Sequence, residues 1–154
     1  MYAAEARCLA AGGPDTVGFG LLAPFFAPDV VLHQAAGLPY GGAWRGHEGM
    51  ARFFRAMSRT WESFRMAEQE ILATGGPLGE PLVVLHRIQA RSRATGREIA
   101  FPILQTVTVR DGRISEVRPF YWDTAAIAAA CDQRRGHSGP SYPPPRHQPP
   151  NPRH

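Results

Sequence analysis

Between Phe64 and Trp122 the chain offers four stretches with alternating apolar and polar residues: "FRMAEQEILA", "PLVVLHRIQARSR", "REIAFPILQTVTV" and "RISEVRPFYW". A period of two marks a strand with one buried and one wetted face. The last three are joined by "RATGRE" and "RDGR", which leave room only for reversals, and Asp-Gly is a strong hairpin signal. These stretches predict a long antiparallel sheet built from sequence neighbours. In the second of them His86, Ile88, Ala90 and Ser92 share the drier face, and Arg87, Gln89, Arg91 and Arg93 the wet one. A sheet of this kind has to cover its apolar face.

The cover must come from what precedes it. "MYAAEARCLAA" is Ala-rich and closes at "GGP", a helix followed by a stop. "DTVGFGLLAPFF" opens on an Asp cap and repeats apolar residues at helical spacing, weakened by Gly18 and Gly20. "DVVLHQA" reads as a short strand and "GLPYGG" as a loop. From Gly46, "HEGMARFFRAMSRTWESF" sets Met50, Phe53, Phe54, Met57 and Trp61 on one helical stripe, the pattern of a core helix. Helices first and strands afterwards predict an α+β domain.

Composition narrows the class. The chain has 154 residues, enough for one domain with a real core, and 44% are apolar, as in soluble globular proteins. Its pI of 9.7 suggests nucleic acid until the charges are located. Residues 134–154 carry four arginines and no acid, which leaves 13 arginines against 13 acids in residues 1–133. A domain without excess charge is a poor phosphate binder, so no nucleic-acid partner is expected. The Pro-rich segment 134–154 cannot bury enough surface to order itself and is expected to be a disordered tail, beside a folded domain over residues 1–133. Its "SYPPPRHQPP" could serve a polyproline-binding groove, though a plain extension is the simpler reading. No apolar run is long enough for a membrane span, and the first residues lack the regions of a signal peptide, so a cytoplasmic protein is expected. Cys8 and Cys131 fit apolar filler better than a disulfide or a metal site.

Two stretches carry a family likeness. "PDVVLH" followed by "LPYGGAWRGHEGMARFF", and "VRDGRISEVRPFYWDTAAI", resemble the SnoaL-like polyketide cyclase branch of the nuclear-transport-factor-2-like superfamily, over roughly residues 1–132. The resemblance implies a cone-shaped curved antiparallel sheet, covered by N-terminal helices and enclosing one apolar pocket. The family's first helix usually starts earlier than the first helix here. The fold houses cyclases, isomerases, dehydratases and epoxide hydrolases, so it does not choose among reactions.

By that resemblance Asp123, where the last strand meets the last helix, is the first candidate for a catalytic acid-base. A carboxylate set among Phe120, Tyr121 and Trp122 would be disfavoured in its ionised form by desolvation. The competing reading makes Asp123 the N-cap of "DTAAIAAAC". His33 is the second catalytic candidate. Alternation groups it with Val31 and Ala35, so it is expected to point into core or pocket, and imidazole suits proton transfer at neutral pH. His86, on the face of Val84 and Ile88, is either a core histidine or a substrate contact. Tyr40 could donate to a substrate carbonyl, or anchor its loop beneath the following helix. Gln105 could hold a carbonyl oxygen, Trp44 could form pocket wall, and Phe101, Phe120 and Trp122 would shape an apolar pocket.

The likeness to ketosteroid isomerases in layout meets an obstacle. Their base carboxylate falls at or beside Gln34, which is no proton acceptor, and their oxyanion-side acid near Gln105; Tyr2 is a possible match for their early tyrosine. Limonene-type epoxide hydrolases use two aspartates and an arginine, of which only Asp123 has a counterpart. No dinucleotide, phosphate-loop or metalloprotease motif occurs, and no metal or other cofactor is expected. The expectation is a cofactor-free enzyme moving protons on an apolar carbonyl substrate of a biosynthetic pathway, by cyclisation, isomerisation or dehydration. The alternative is a binding or interaction domain without chemistry. The family habit of pairing through the outer sheet face implies a homodimer.

Overall fold

The computed structural model describes residues 19–76 and 78–134. The expected first helix, Cys8, Tyr2 and the tail beyond Arg134 lie outside these residues. Within them, two 3-10 turns (Phe19–Leu21 and Ala23–Phe25) lead into β1 (Phe26–Gln34) and β2 (Gly42–Arg45), then α1 (Gly46–Thr60). Four long strands follow, β3 (Trp61–Thr74), β4 (Leu82–Ser92), β5 (Glu98–Arg110) and β6 (Arg113–Tyr121), and a short α2 (Thr124–Cys131) closes the described chain.

All six strands form one curved sheet in the order β2-β1-β6-β5-β4-β3, which makes the fold α+β. Four neighbouring pairs are antiparallel, but β1 and β6 run parallel, so the sheet is mixed rather than purely antiparallel. The chain leaves β1 for α1 and returns five strands later beside it, a crossover that strand periodicity cannot reveal. The "RDGR" reversal behaves as its sequence demands: Asp111 and Gly112 both adopt positive φ, 52° and 74°, the conformation that two-residue hairpins require.

Three boundaries differ from expectation. Gly20 and Pro24 break the stretch 19–26 into two 3-10 turns, and Phe26 already belongs to β1. The loop after β1 ends in a four-residue strand, too short for its periodicity to register. Helix α1 stops at Thr60, whose hydroxyl donates to the Ala56 carbonyl at 2.8 Å. Trp61, a strong strand former, opens β3 opposite Ser92.

The core lies between α1 and the inner sheet face. Met50, Phe53, Phe54 and Met57 of α1 are buried there with Val30, Leu32, Ile88, Ile103, Val107 and Val117. Trp61 joins them from the strand, so its burial was correctly expected although its helix was not. His47 ties α1 to β1, its Nε2 donating to the Phe26 carbonyl at 3.0 Å. On the outer face the basic strip is paired rather than bare. Arg87 meets Glu68 at 3.0 Å and Arg91 meets Glu62 at 3.1 Å, contacts worth little in stability at such exposure.

Candidate active site

Each strand from β3 to β6, together with β1, sends alternate side chains beneath α1, and between them lies a cavity. Leu32 and Gln34 come from β1; Met50, Phe53, Phe54 and Met57 from α1; Phe64 and Met66 from β3. His86 and Ile88 of β4, Ile103 and Gln105 of β5, and Val117, Pro119 and Tyr121 of β6 complete the wall. The space, its mouth included, is about 620 Å³, and the centre of a water-sized sphere can range over about 50 Å³ of it. A single water needs roughly 10–15 Å³ on the latter measure, so this is a narrow slot. Three of its wall residues are methionines, whose flexible thioethers can yield to a larger guest.

No Asp, Glu or Arg is among these lining residues. The polar groups are two carboxamides, one phenol and one imidazole. Tyr121 donates its hydroxyl to Gln34 Oε1 at 2.8 Å. Burial pushes the Tyr121 phenol well above its ordinary value, with the neighbouring Tyr40 adding to the shift and Gln34 opposing it. His86 is 2% exposed, and its Nδ1 lies 3.3 Å from the Met66 sulfur. A thioether can accept a hydrogen bond but not donate one. A hydrogen bond in that contact requires the ring proton on Nδ1, which puts the lone pair on Nε2. Desolvation lowers the His86 pKa, which keeps the ring neutral at neutral pH.

The cost of charging His86 in the fold has a consequence for stability. The unfolded chain binds the proton more readily, so folding stability falls as pH drops below about 6.5, the ordinary imidazole value. The group contributes a slope of at most about 1.4 kcal/mol per pH unit. Denaturant titrations between pH 5 and 7 on the protein and on His86→Gln should show this component in the former and its loss in the latter. Parallel pH dependences in both would contradict it.

Behind the cavity wall, Tyr40 is 1% exposed and packs edge-on against Phe53, with ring centroids 6.0 Å apart. Its phenol is pushed up to about 12, chiefly by burial, while Trp61 and Tyr121 pull the other way. Trp44 donates from Nε1 to the Tyr40 carbonyl at 3.1 Å. Neither lines the cavity: Tyr40 takes the loop-anchor position beneath α1, and Trp44 holds that loop in place. Phe101 stacks behind the wall, between the rings of Trp61, Phe64 and Tyr121.

Four placements correct the sequence reading. Asp123 is exposed and outside the cavity, and its Oδ1 accepts the Ala126 N–H at 2.9 Å as the cap of α2. The aromatic enclosure expected around it is absent, because Trp122 and Phe120 turn outward, at 87% and 52% exposure. Tyr121, between them, takes the inward position. His33 lies on the outer face, its Nε2 3.7 Å from Glu116 Oε2, whereas its neighbours Leu32 and Gln34 face the cavity. A one-residue change of phase turns every side chain of a strand over, and the expectations for His33 and Phe120 fell to that rule, whereas Asp123 lies past the end of β6. Of the candidates, the structure brings together His86 and Gln105, and it adds Gln34 and Tyr121, which residue type alone had not singled out as a pair.

A cap without a place in the cavity makes a separable prediction. Asp123→Ala should lower stability by about 1 kcal/mol through loss of the α2 cap, with ligand affinity unchanged. Urea midpoints and a binding isotherm measured on the same sample check both halves. A large loss of affinity would return Asp123 to the site.

Among the described residues no three His, Cys, Asp or Glu side chains come together as a metal site, and no helix is long and apolar enough to cross a membrane.

The geometry agrees with what the chain resembles. No curated protein sequence matches it significantly. Among solved structures, an NTF2-like protein of Burkholderia xenovorans is 24% identical with a TM-score of 0.68, over 85% of this chain and 94% of that one. TerC, crystallised with polyporic acid, is 21% identical with a TM-score of 0.64, over 83% and 96%. A proposed polyketide cyclase of Xanthomonas campestris is 18% identical with a TM-score of 0.65, over 85% and 93%. At such identities these likenesses establish a shared NTF2-like fold and nothing finer. Residues 6–117 also match the sequence family of the SnoaL-like domain, and since that span is most of the chain, the protein belongs to the SnoaL-like family.

Proposed function

We propose that the cavity binds a small, mostly apolar carbonyl compound and moves a proton at the carbon next to the carbonyl. The observation that supports this is a buried neutral imidazole sharing an apolar, charge-free cavity with two carboxamides. In the proposed step, His86 Nε2 takes the α-proton. The C–H electron pair becomes the enolate double bond, and the carbonyl electrons move onto oxygen. Carboxamide N–H groups of Gln34 and Gln105 receive that oxygen, and in such steps preorganised donors of this kind usually contribute more than any other single effect. Returning the proton from His86 to another carbon completes an isomerisation, and the same enolate is the nucleophile of a cyclisation. His86 takes the role that the sequence had offered to Asp123 and His33. Two relatives support the substrate class, one a proposed polyketide cyclase and one crystallised with polyporic acid.

The direct test is deuterium exchange. 1-Indanone in D₂O, followed by proton NMR, should lose its α-proton signal faster with the protein than in buffer. Exchange at the buffer rate contradicts the catalytic reading. A second reading, binding without chemistry, is favoured by one observation: no carboxylate lines the cavity. Binding of the ketone with exchange at the buffer rate would select it.

The family habit of pairing is a further proposal. Leu104 and Phe120, direct partners across β5 and β6, are both exposed on the outer face and favour a homodimer. Light scattering should return twice the chain mass, and a monomer mass at high concentration would refute the pairing.

A further inference from the structure

We propose that Tyr121 locks the Gln34 carboxamide with its NH₂ turned to the ligand, so that the cavity prefers acceptor oxygens, such as ketone carbonyls, over isosteric alcohols. This inference deepens the carbonyl-site reading and rests on it. A free carboxamide has two ends, a donor and an acceptor, and by rotating it can serve either kind of ligand. Gln34 does not have that freedom. Its Oε1 accepts the Tyr121 hydroxyl at 2.8 Å, which leaves Nε2 as the end available to a guest.

Behind that bond, Tyr40 and Trp61 are 1% and 3% exposed, and neither the Tyr40 hydroxyl nor Trp61 Nε1 has a hydrogen-bond partner among the described residues. Trp61, Cys131 and Tyr121 all act on the Tyr40 phenol. An indole N–H can only donate. Tyr121 has a single hydroxyl proton, and it is directed to Gln34 Oε1 at 2.8 Å. With that proton given to the amide oxygen, the NH₂ is the end of Gln34 left without this partner. Reversing the amide would oblige the Tyr121 hydroxyl to turn its proton away from Gln34. Tyr121 is thus a positioning residue for Gln34, and Gln34 decides specificity.

The test compares two probes of one shape, 1-indanone and 1-indanol, and reads the ratio of their dissociation constants. The protein should prefer the ketone. Gln34→Leu and Tyr121→Phe should each lower the ratio about five-fold, the worth of one ordinary hydrogen bond. The double variant should show no further loss, because both changes remove the same contact. His86 is common to all variants, so any preference it adds cancels. A Tyr121 that served only packing would weaken both probes alike with the ratio unchanged, and that result overturns the inference. Should neither probe bind the unmodified protein, the carbonyl-site reading falls and this inference with it. Binding of both with equal affinity removes this inference alone. A measurement without substitution stands beside these. The Gln34 side-chain amide signals should shift with ketone and not with alcohol, and unmoved signals would contradict the lock.

Discussion

Phe54→Ala is expected to lower the stability of the domain by about 3–5 kcal/mol, the usual cost of truncating a buried phenylalanine. Phe54 is 1% exposed, in the middle of the single helix that covers the inner sheet face among the described residues. Its ring sits 5.5 Å from that of Phe53 and 6.1 Å from that of Phe19. The change removes a ring that packs on the helix's own stripe and, beside His47, on the first 3-10 turn. Domains of this size are stable by roughly 5–15 kcal/mol, so such a loss takes a large share of the total. The void would also merge with the ligand cavity, and α1 cannot collapse into it without leaving β1. Urea denaturation measures the change. A loss below about 1 kcal/mol would mean that α1 is not seated on the sheet in the way described.

His86→Gln is expected to slow α-proton exchange by about 10²–10⁴-fold while ketone affinity stays within a few-fold, since general-base catalysis contributes on that scale. Glutamine keeps a polar planar group of similar reach and loses only the basic lone pair. The proton-transfer role rests on three properties of His86: burial, the Nδ1 contact with Met66 and a lowered pKa from desolvation. A lowered pKa makes a weaker base but one that is unprotonated at neutral pH. The rate should therefore be level near pH 7 and fall in acid, below the ordinary imidazole value of about 6.5. Kinetics of 1-indanone exchange against pH in both proteins decides the matter. A His86→Gln rate equal to that of the unmodified protein would assign the proton to another group.

The long strands and α1 were legible because their apolar patterns have one phase only. In β4, arginines and glutamine alternate with apolar residues, and the faces follow from the residues alone. Two places offered no phase. In β1, Val30, Val31 and Leu32 are apolar on both sides, so nothing in the pattern says whether His33 or Gln34 faces inward. At the end of β6, Phe120, Tyr121 and Trp122 are all aromatic, and the inward one is set by continuation from Val117 and Pro119 rather than by its own character. Counting back from those two residues would have found Tyr121. Gln34 was harder, because an amide carries no signature of its own; its role exists only through Tyr121, 87 positions away. Asp123 was legible as a cap, from "DTAAIAAAC", and it is exposed because β6 ends at Tyr121, beyond which strand alternation no longer aims side chains inward. The parallel pairing of β1 with β6 lay beyond local pattern, since it depends on where the chain returns.

The central claim, that a small carbonyl compound occupies the cavity beneath α1, is tested most directly through its methionines. Met50, Met57 and Met66 line the space from two different elements. With methyl-carbon-labelled methionine, titration with 1-indanone should move all three methyl signals along one saturable isotherm. Saturation with these three signals unmoved would place the ligand elsewhere and contradict the account.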